Sequence, residues 1–444
     1  MSPINEQELL KLKPWYRPGK WYVTPATWLP EVRATMPHLP QQVHIQDTTL
    51  REGEENVSVS FTIDQKVEIA GRLSDMGVLS IDCGHVGNPY QEETVRRIAS
   101  AGVVKKPTTI LLDRICREVS KALDEMKRGA DRTVAVGGTA FCPVCDYPGR
   151  TSQEQGPFVE GIKYVKDNYP DLYLSFGFTR VSGGIGWLNK METMHSFYDW
   201  QVRLAKAVTE AGVDCVVLAD SMGCASPPAW KYIVGRFREA MGSEKDLVTH
   251  NHNDYGQALA NALAGVEGGA NWIDVVVCGL GDRAGNTSFE ELVLSLEALY
   301  GIRTGIKLER IYDLAKYVQE TGGVKVQPWK AVVGDRVWAE SSHSAALVRI
   351  KRARKDFFEE GWEAWNPSLI GQTHQMFFGK VVMNPEVIEG FMEHLGLPYN
   401  KEIVDKTVRQ GLEEIDRRAA HGQDRWLSEE EVNDLCRKMA KKRY

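Results

Sequence analysis

The feature that most constrains the fold is an alternation of short apolar runs with segments of helical periodicity, between residues 43 and 304. Short β-branched runs of this kind are typical of strands that are buried on both faces of a parallel sheet. The eight runs are 43–46, 78–83, 108–112, 133–138, 172–179, 215–220, 246–252 and 272–279. Eight strand–helix units predict an α/β fold of the (β/α)₈ TIM-barrel type, which takes about 250 residues. A doubly wound open sheet is the alternative, but the GxGxxG fingerprint expected after its first strand is absent.

Two regions lie outside this alternation. Residues 1–42 contain four Trp or Tyr residues in KPWYRPGKWYV, which predicts an extended N-terminal arm that packs against another surface, such as a second subunit. Residues 305–444 contain the helix-like segments Lys401–Ala420 and Ser428–Lys442. The sequence therefore predicts an arm over 1–42, a barrel over 43–304 and a mainly helical C-terminal region over 305–444.

The composition excludes several functional classes. The formal net charge of −6 gives no support for nucleic acid as a partner, and 43% hydrophobic residues exclude a disordered chain. Apolar runs do not approach the length of about 18 residues that a membrane span needs. The N-terminal segment lacks the apolar core of a signal peptide, and the eight cysteines show no disulfide framework. These observations predict a cytoplasmic protein.

Polar residues follow most of the predicted strands. Catalytic groups of α/β barrels lie at the C-terminal ends of the strands, so these residues are the candidates for a site. They include Asp47, Arg51, Glu52, Asp82, Cys142, Cys145, Arg180, Asp220, Ser221, His250, His252 and Asn286.

The pair His250 and His252 is the sharpest metal signal. Residues i and i+2 of a strand face the same side and lie about 7 Å apart, so two imidazoles can converge on one ion. Glu52 and Asn286 can supply two oxygen ligands, and such a set favours Mg²⁺, Mn²⁺ or Zn²⁺ in a Lewis-acid role. The alternative is a pair of polar residues that only solvate a loop.

Arg51 places a permanent cation beside this proposed metal. A guanidinium stays protonated and can stabilise an enolate or alkoxide oxygen. The alternative is a structural ion pair with Asp82 or Glu54, and both roles are compatible if Asp82 orients Arg51. The stretch GLGDRAGN (279–286) has three glycines that let the backbone approach a ligand closely.

The spacing of Cys142 and Cys145 could indicate half of a zinc site or a redox pair. A second CxxC is missing, and the context does not resemble thioredoxin, so a structural or pocket-lining role is favoured.

Three motifs resemble the DRE-TIM metallolyase superfamily: DTTLREGEEN (47–56), HNHNDYGQALANALAGVEGGAN (250–271) and GLGDRAGNTSFEEL (279–292). The chain is most similar to the Claisen-condensing subgroup, which contains the homocitrate, isopropylmalate and citramalate synthases. The likeness covers residues 43–300 and continues weakly over 328–397.

The resemblance implies specific roles for the site residues. The metal ligands would be Glu52, His250, His252 and Asn286. Arg51 would stabilise developing oxygen charge, and Asp82 stands where the family has Glu. His343, from the C-terminal region of a neighbouring subunit, would be a further catalytic group, which implies a homodimer or a larger homo-oligomer.

The resemblance also implies a reaction. A 2-oxo acid binds the metal, the methyl group of an acyl-CoA loses a proton, and the resulting enolate attacks the carbonyl. Thioester hydrolysis then releases CoA and a 2-hydroxy di- or tricarboxylic acid.

Several positions differ from the family pattern. Glu52 replaces the usual Asp, Glu55 the usual Gln, and Ser221 the Thr that normally follows Asp220. The acidic pair usually found before the strand-5 Arg is absent near Arg180. Arg180, Ser221 and Glu55 are therefore expected to contact the substrate, and their differences leave the 2-oxo acid and the acyl donor open.

Two other functional classes remain as alternatives. A carbon–carbon lyase or aldolase would use the same metal in the reverse direction. Lyase relatives carry a Cys in the loop before the metal Asn, whereas here Cys278 precedes GLGDRAGN, which favours synthesis. The differences at Glu55 and after strand 5 also allow a binding or regulatory protein that lacks catalytic activity.

Overall fold

A computed structural model describes residues 6–85, 88–103, 108–112, 136–142, 156–168, 170, 173–183, 193–341 and 363–441. Eight parallel strands close into a barrel in which each strand pairs with the next and the last pairs with the first. The strands are β1 (His44–Asp47), β2 (Ser80–His85), β3 (Thr108–Leu112), β4 (Val136–Cys142), β5 (Leu174–Phe178), β6 (Cys215–Asp220), β7 (Asp246–Asn251) and β8 (Trp272–Val275). The predicted TIM barrel is confirmed.

The helices of the described residues mostly follow the predicted periodicity. They are α1 (Glu6–Leu12), α2 (Pro30–Ala34), α3 (Ile63–Met76), α4 (Pro89–Ala101), α5 (Gly156–Asn168), α6 (Met194–Glu210), α7 (Pro227–Met241), α8 (Ala258–Glu267), α9 (Phe289–Ser295), α10 (Ile311–Gly322), α11 (Pro385–His394), α12 (Lys401–Ala420) and α13 (Glu429–Lys441). Local sequence explains the bounds of α3: Thr62 and Gln65 form a capping box at its start, and Gly77 ends it in the left-handed conformation. None of these helices is long and apolar enough to cross a membrane.

Strand register determines which side chains face the barrel interior. Neighbouring residues in a parallel register point to the same face of the sheet. Ala219 of β6 pairs with His250 of β7, and Val248 pairs with Trp272 of β8. Val248 packs with Cys215, Val217, Tyr173 and Trp272 in one cluster of buried side chains. His250 is two residues further along the same face, near the C-terminal end of β7.

Two strands differ from their predicted bounds by three residues or more at one end or both. The fourth runs from Val136 to Cys142, later than the predicted 133–138. The eighth ends at Val275 and not at Gly279, and Val277–Gly279 form a short 3-10 turn in which Cys278 has a positive φ of 63°. An apolar run alone does not reveal where the backbone leaves the strand conformation.

The chain forms two compact units. One contains Met1–Arg17 and Val23–Val326, and the other contains Pro18–Tyr22 and Gln327–Tyr444. Helix α10 therefore belongs to the barrel unit, although it follows the predicted end of the barrel domain at residue 304.

The arm that was predicted to be extended contains α1 and α2, and part of it packs on its own barrel unit. Arg33 donates a hydrogen bond of 3.0 Å to the carbonyl of Tyr300. Trp28 lies so close to Gly301 that a Cβ added there would be 3.4 Å from the indole ring.

The second unit has its own hydrophobic core. Its strands are β9 (Ala339–Glu340), β10 (Gln375–Phe378) and β11 (Leu427–Ser428), and β10 pairs with β9 in parallel and with β11 antiparallel. Helices α11 to α13 contribute buried residues to this core, including Ile388, Ile415 and Cys436. The predicted helical character of this region is confirmed for the described residues.

Candidate metal centre

Strands β1 and β7 bring three possible metal ligands together at the C-terminal end of the barrel. The Nε2 atoms of His250 and His252 are 3.1 Å apart. Glu52, in the turn after β1, has one carboxylate oxygen 3.5 Å from His252 Nε2 and the other 3.9 Å from His250 Nε2. All three side chains are buried, and their ligand atoms lie within 4.8 Å of one another. They form a possible metal site.

Asn286 lies beside this cluster. Its Nδ2 is 3.1 Å from His250 Nε2, while its Oδ1 is buried and has no hydrogen-bond partner among the described residues. The GLGDRAGN loop is shaped around it, since a Cβ at Gly281 would lie 2.1 Å from Asn286 Oδ1. A Cβ at Gly285 would lie 2.0 Å from the carbonyl oxygen of Gly279. These glycines are therefore needed for the loop to hold the amide close to the two imidazoles.

The chemistry of this group fits a divalent cation. Two imidazole nitrogens, a carboxylate and an unpartnered amide oxygen are ligands that such ions accept. Without an ion, Asn286 Oδ1 and His252 Nδ1 are buried polar atoms that lack a partner within the described structure, which is a costly arrangement. An ion bound to Asn286 Oδ1 would give this atom a partner and so remove one of the two unfavourable contributions.

Electrostatics put two of the three groups in the protonation state that a metal needs. Burial raises the pKa of Glu52, but Arg51 and the two imidazoles outweigh it and lower that pKa to about 2. Burial, together with His250, lowers the pKa of His252 to about 4. At neutral pH, Glu52 is therefore a carboxylate and His252 is neutral. The pKa of His250 shifts in the other direction. Burial lowers it, but the contacts with Asp274 and Glu52 have the larger effect, so this pKa lies above its usual value.

Asp274 supports the site from inside the barrel, although it was not among the residues predicted from the sequence. Its Oδ2 lies 3.2 Å from Nδ1 of His250, and the side chain is buried. A carboxylate at Nδ1 fixes the imidazole tautomer, so that Nε2 faces the cluster. The sequence did carry a signal, because Asp274 is an acidic residue inside the apolar run WIDVVVC.

Arg51 connects the cluster to the end of β2. Its Nε donates to Asp82 Oδ2 at 2.7 Å, while its Nη1 contacts the carboxylate of Glu52 and donates to Glu55 Oε1 at 3.1 Å. Asp82 also accepts a hydrogen bond of 3.2 Å from the backbone N–H of Gly84. Burial lowers the pKa of Arg51, but the three carboxylates have the larger effect, so this pKa lies above its usual value. The ion pair predicted between Arg51 and Asp82 is present.

Glu54, the alternative partner of Arg51, pairs with Lys66 instead. Lys66 is a second residue near the site that was not predicted from the sequence. Lys66 of α3 is fully buried, contacts the carboxylate of Glu54, and donates to the carbonyl of Leu50 at 2.9 Å. Its Nζ also lies 5.1 Å from the ring centroid of Tyr90. Lys66 thus holds the backbone immediately before Arg51. The sequence does not predict this buried position of Lys66, because most lysines of amphipathic helices are exposed.

Arg180 and Ser221 lie on another part of the barrel rim. The backbone N–H of Arg180 donates to Ser221 Oγ at 3.0 Å, and Arg180 has a positive φ of 53°. The Arg180 side chain is exposed. The hydroxyl of Ser221 therefore fixes the backbone that carries Arg180.

Three predicted residues cannot be placed in the site. His343 and Cys145 lie outside the described residues. Cys142 is the last residue of β4, and the description does not extend to its side chain.

The chain resembles proteins of known family over most of its length. The family model of the HMGL-like proteins matches residues 42–318. A homocitrate synthase AksA from Methanopyrus kandleri is 31% identical over 84% of this chain and 87% of its own length. A 2-isopropylmalate synthase from Methanocaldococcus jannaschii is 29% identical over 91% of this chain and 74% of its own. A putative (R)-citramalate synthase CimA from Archaeoglobus fulgidus is 32% identical over 84% of this chain and 71% of its own.

Solved structures share the barrel. An HMG-CoA lyase from Bacillus subtilis superposes with a TM-score of 0.52 at 20% identity, covering 65% of this chain and 96% of the lyase. An HMG-CoA lyase from Acinetobacter baumannii, in complex with coenzyme A and 3-methylmalate, gives a TM-score of 0.52 at 21% identity and covers 66% and 95%. At this level of identity the likeness concerns the fold alone.

Proposed function

Because the chain belongs to the HMGL-like family, we propose that it condenses acetyl-CoA or a related acyl-CoA with a 2-oxo acid. The products are CoA and a 2-hydroxy di- or tricarboxylic acid. The observation that carries this proposal is the buried cluster of Glu52, His250 and His252 at the C-terminal end of the barrel. The names of the three synthases that resemble this chain over most of its length support the direction of synthesis.

Four residues would hold a divalent ion: Glu52, His250, His252 and Asn286. The mixed nitrogen and oxygen donors suit Mg²⁺, Mn²⁺ or Zn²⁺. When bound, the ion supplies a Lewis acid that makes the carbonyl of the 2-oxo acid more electrophilic.

Arg51 supplies fixed positive charge for the oxygen that becomes negative during carbon–carbon bond formation. The hydrogen bond from its Nε to Asp82 fixes the plane of the guanidinium, and a fixed donor stabilises developing charge without rearrangement during the reaction. Asp82 therefore acts as a positioning residue in this mechanism. Lys66 contributes further by holding the carbonyl of Leu50.

The remaining roles complete the reaction. The acyl methyl group loses a proton, the new carbon–carbon bond forms, and water then cleaves the thioester so that CoA leaves as a thiol. His343 is the proposed proton-transfer group, contributed by a neighbouring subunit in a homodimer or larger homo-oligomer. Arg180, Ser221 and Glu55 are proposed to line the space for the 2-oxo acid.

Free-thiol release tests this function. The purified protein is incubated with acetyl-CoA and a panel of 2-oxo acids, with added Mg²⁺, Mn²⁺ or Zn²⁺ or with a chelator, and His252→Ala is the control. We expect thiol release that needs both the metal and one class of 2-oxo acid, and that is lost in the control. Protein that contains metal but releases no thiol with any acceptor would contradict the proposal, and cleavage of a hydroxyacyl-CoA or 2-hydroxy acid would instead identify a lyase.

A further inference from the structure

Arg283 joins three loops at the C-terminal end of the barrel. It lies in the loop after β8, and its Nε and Nη2 donate to the two carboxylate oxygens of Asp254 at 2.7 and 2.9 Å. Asp254 belongs to the loop after β7. The same Nη2 donates at 2.7 Å to the backbone carbonyl of Ser221, which follows β6. One guanidinium therefore links the segments that follow β6, β7 and β8.

Two of these loops carry ligands of the proposed metal centre. His252 precedes Asp254 by two residues, and Asn286 follows Arg283 by three. His252 and Asn286 also pair with each other in an isolated antiparallel bridge of the backbone. The contact between Arg283 and Asp254 lies next to this bridge along both loops. It therefore holds together the two segments that present these ligands.

The loop after β6 fits closely against the same segment. A Cβ added at Gly223 would lie 2.8 Å from the carbonyl oxygen of His252 and 2.9 Å from Oδ2 of Asp254. This close approach brings the carbonyl of Ser221 and the carboxylate of Asp254 to one guanidinium. The planar fork of Arg283 can donate to both acceptors at fixed positions, whereas a lysine ammonium is a point charge on a flexible stem.

The backbone of Arg283 shows that its side chain is what this position requires. Arg283 has a positive φ of 55°, a conformation that is uncommon for residues other than glycine. Glycine and asparagine adopt it more readily. The side chain is 38% exposed, and ion pairs at such exposure add little to the stability of a fold. Its effect should therefore be on the local arrangement of the loops.

From these contacts we infer that Arg283 is a positioning residue of the metal centre. Through Asp254 it fixes the loops after β7 and β8, so that the imidazole of His252 and the amide of Asn286 stay in place for the ion. Arg283 itself touches neither the ion nor the substrate. The inference rests on the proposed function, since it takes the ligand cluster to hold a divalent ion.

Charge and position predict opposite results when the guanidinium is removed. Arg283→Asn takes a cation away from the loop beside the centre, and by charge alone a divalent ion would then bind more tightly. Loss of the fixed loop geometry would weaken its binding. Asparagine tolerates the left-handed conformation, so this variant tests the guanidinium and not the backbone. Arg283→Lys keeps the charge and removes the planar pair of donors.

The test is Zn²⁺ binding to the full chain, measured by calorimetry after a chelator has removed bound metal. We expect Zn²⁺ affinity to fall by about tenfold or more in both Arg283→Asn and Arg283→Lys, as for other groups that orient a metal ligand. The absorption spectrum of bound Co²⁺ should also change, because it reports the arrangement of the ligands.

Arg236 provides a matched control, because it also joins two elements through an acid. It belongs to α7 and donates to Asp199 Oδ1 of α6 at 2.8 Å, and its side chain is 30% exposed. Arg236→Gln should bind Zn²⁺ as wild type does and leave the Co²⁺ spectrum unchanged. Thermal unfolding checks that each variant is folded, and Arg283→Lys supplies the result if Arg283→Asn does not fold.

A double variant tests whether Arg283 acts through Asp254. Because both changes remove the same contact, Arg283→Asn combined with Asp254→Asn should lose no more Zn²⁺ affinity than the weaker-binding single variant. Losses that add would overturn the inference. So would unchanged or tighter Zn²⁺ binding in Arg283→Asn, an equal loss in Arg236→Gln, or a wild type that binds no Zn²⁺. The measurement needs no substrate, so absence of thiol release would count against the proposed function and leave this result intact.

Discussion

The polar residues at the ends of β1, β7 and β8 differ from those at the end of β6 in how their oxygen atoms are hydrogen-bonded. Both regions carry acidic side chains. Around Glu52 the polar atoms converge on one another and leave the oxygen of Asn286 without a hydrogen-bond donor among the described residues. Asp220, at the end of β6, instead has both carboxylate oxygens hydrogen-bonded by donors from its own loop, from the segment after β5 and from helix α8. Its acceptor contacts are with Ser182 Oγ, the backbone N–H groups of Cys224 and Ala225, and Asn261 Nδ2.

Strand register explains this difference. His250 pairs with Ala219, whereas Asp220 pairs with Asn251, so Asp220 points to the opposite face of the sheet from His250. The two regions teach that an acid near a strand end becomes a candidate ligand only when it lies beside other ligand atoms and hydrogen-bond donors of the protein do not occupy both of its oxygens. Four predictions test this contrast, from the largest expected effect to the smallest.

Replacing His252 should have the largest effect. His252→Ala removes one of the two imidazoles, so we expect metal affinity to fall by at least about 100-fold, because the remaining ligands cannot enclose the ion. Competition with a chromophoric chelator measures the affinity. Asp220→Asn is the counterpart at β6 and should lower the melting temperature while metal affinity stays unchanged. If both variants lost metal affinity equally, the proposed difference between the metal cluster and the end of β6 would be wrong.

A methyl group at Gly281 should affect the metal centre through its neighbour. The Cβ of Gly281→Ala would overlap Asn286 Oδ1, and the φ of 141° adds backbone strain. We expect metal affinity to fall by about tenfold or more, a size typical of changes next to a ligand. Gly183→Ala, after β5, is the matched control, since its φ is 112° but it has nothing within 4 Å. That variant should lose only about 1 to 3 kcal/mol of stability. Unchanged metal affinity in Gly281→Ala would contradict the role of this loop.

Removing the charge of Asp274 should weaken metal binding about tenfold, because an amide no longer fixes the tautomer of His250 as a carboxylate does. Calorimetric titration of Asp274→Asn with Zn²⁺ measures this change. The control is Asp246→Asn at the start of β7, where the carboxylate accepts hydrogen bonds from Tyr173 and Asn271. It should destabilise the fold without affecting the ion. If both variants bind Zn²⁺ like wild type, Asp274 has no supporting role.

The smallest effect is expected at Ser221. Ser221→Ala removes the acceptor of the Arg180 N–H, which should cost about 1 kcal/mol of unfolding free energy. Urea unfolding measures this loss, and the metal affinity should stay the same. If Arg180 contacts the acceptor, KM should also rise while kcat changes little. A loss of metal binding in this variant would show that the two regions are not independent.

The barrel and the convergence of the two imidazoles could be predicted because they depend on short-range patterns. Eight apolar runs determined the strands, and the spacing of His250 and His252 placed two imidazoles on one face. The supporting residues Asp274 and Lys66 could not be found this way. Their roles depend on contacts 24 and 16 positions away along the chain, which only the closed barrel brings together.

Strand ends were less predictable than strand positions. The run of apolar residues after Trp272 continues beyond Val275, but the backbone then forms a 3-10 turn over Val277–Gly279. The backbone N–H of Cys278 is held by the buried carboxylate of Glu290 at 3.0 Å. Hydrophobicity shows that such a segment is buried, and it does not show which conformation the burial requires.

The central claim is that this chain forms a carbon–carbon bond between an acyl-CoA and a 2-oxo acid. The most direct measurement is ¹³C NMR of the product from acetyl-CoA labelled at the methyl carbon and an acceptor labelled at its carbonyl carbon. The acceptor is the one that gives the fastest thiol release. We predict a one-bond coupling between the two labelled carbons that appears only with a divalent ion and is absent in His252→Ala. Thiol release without this coupling would mean that the protein only hydrolyses the thioester, and the account would be wrong.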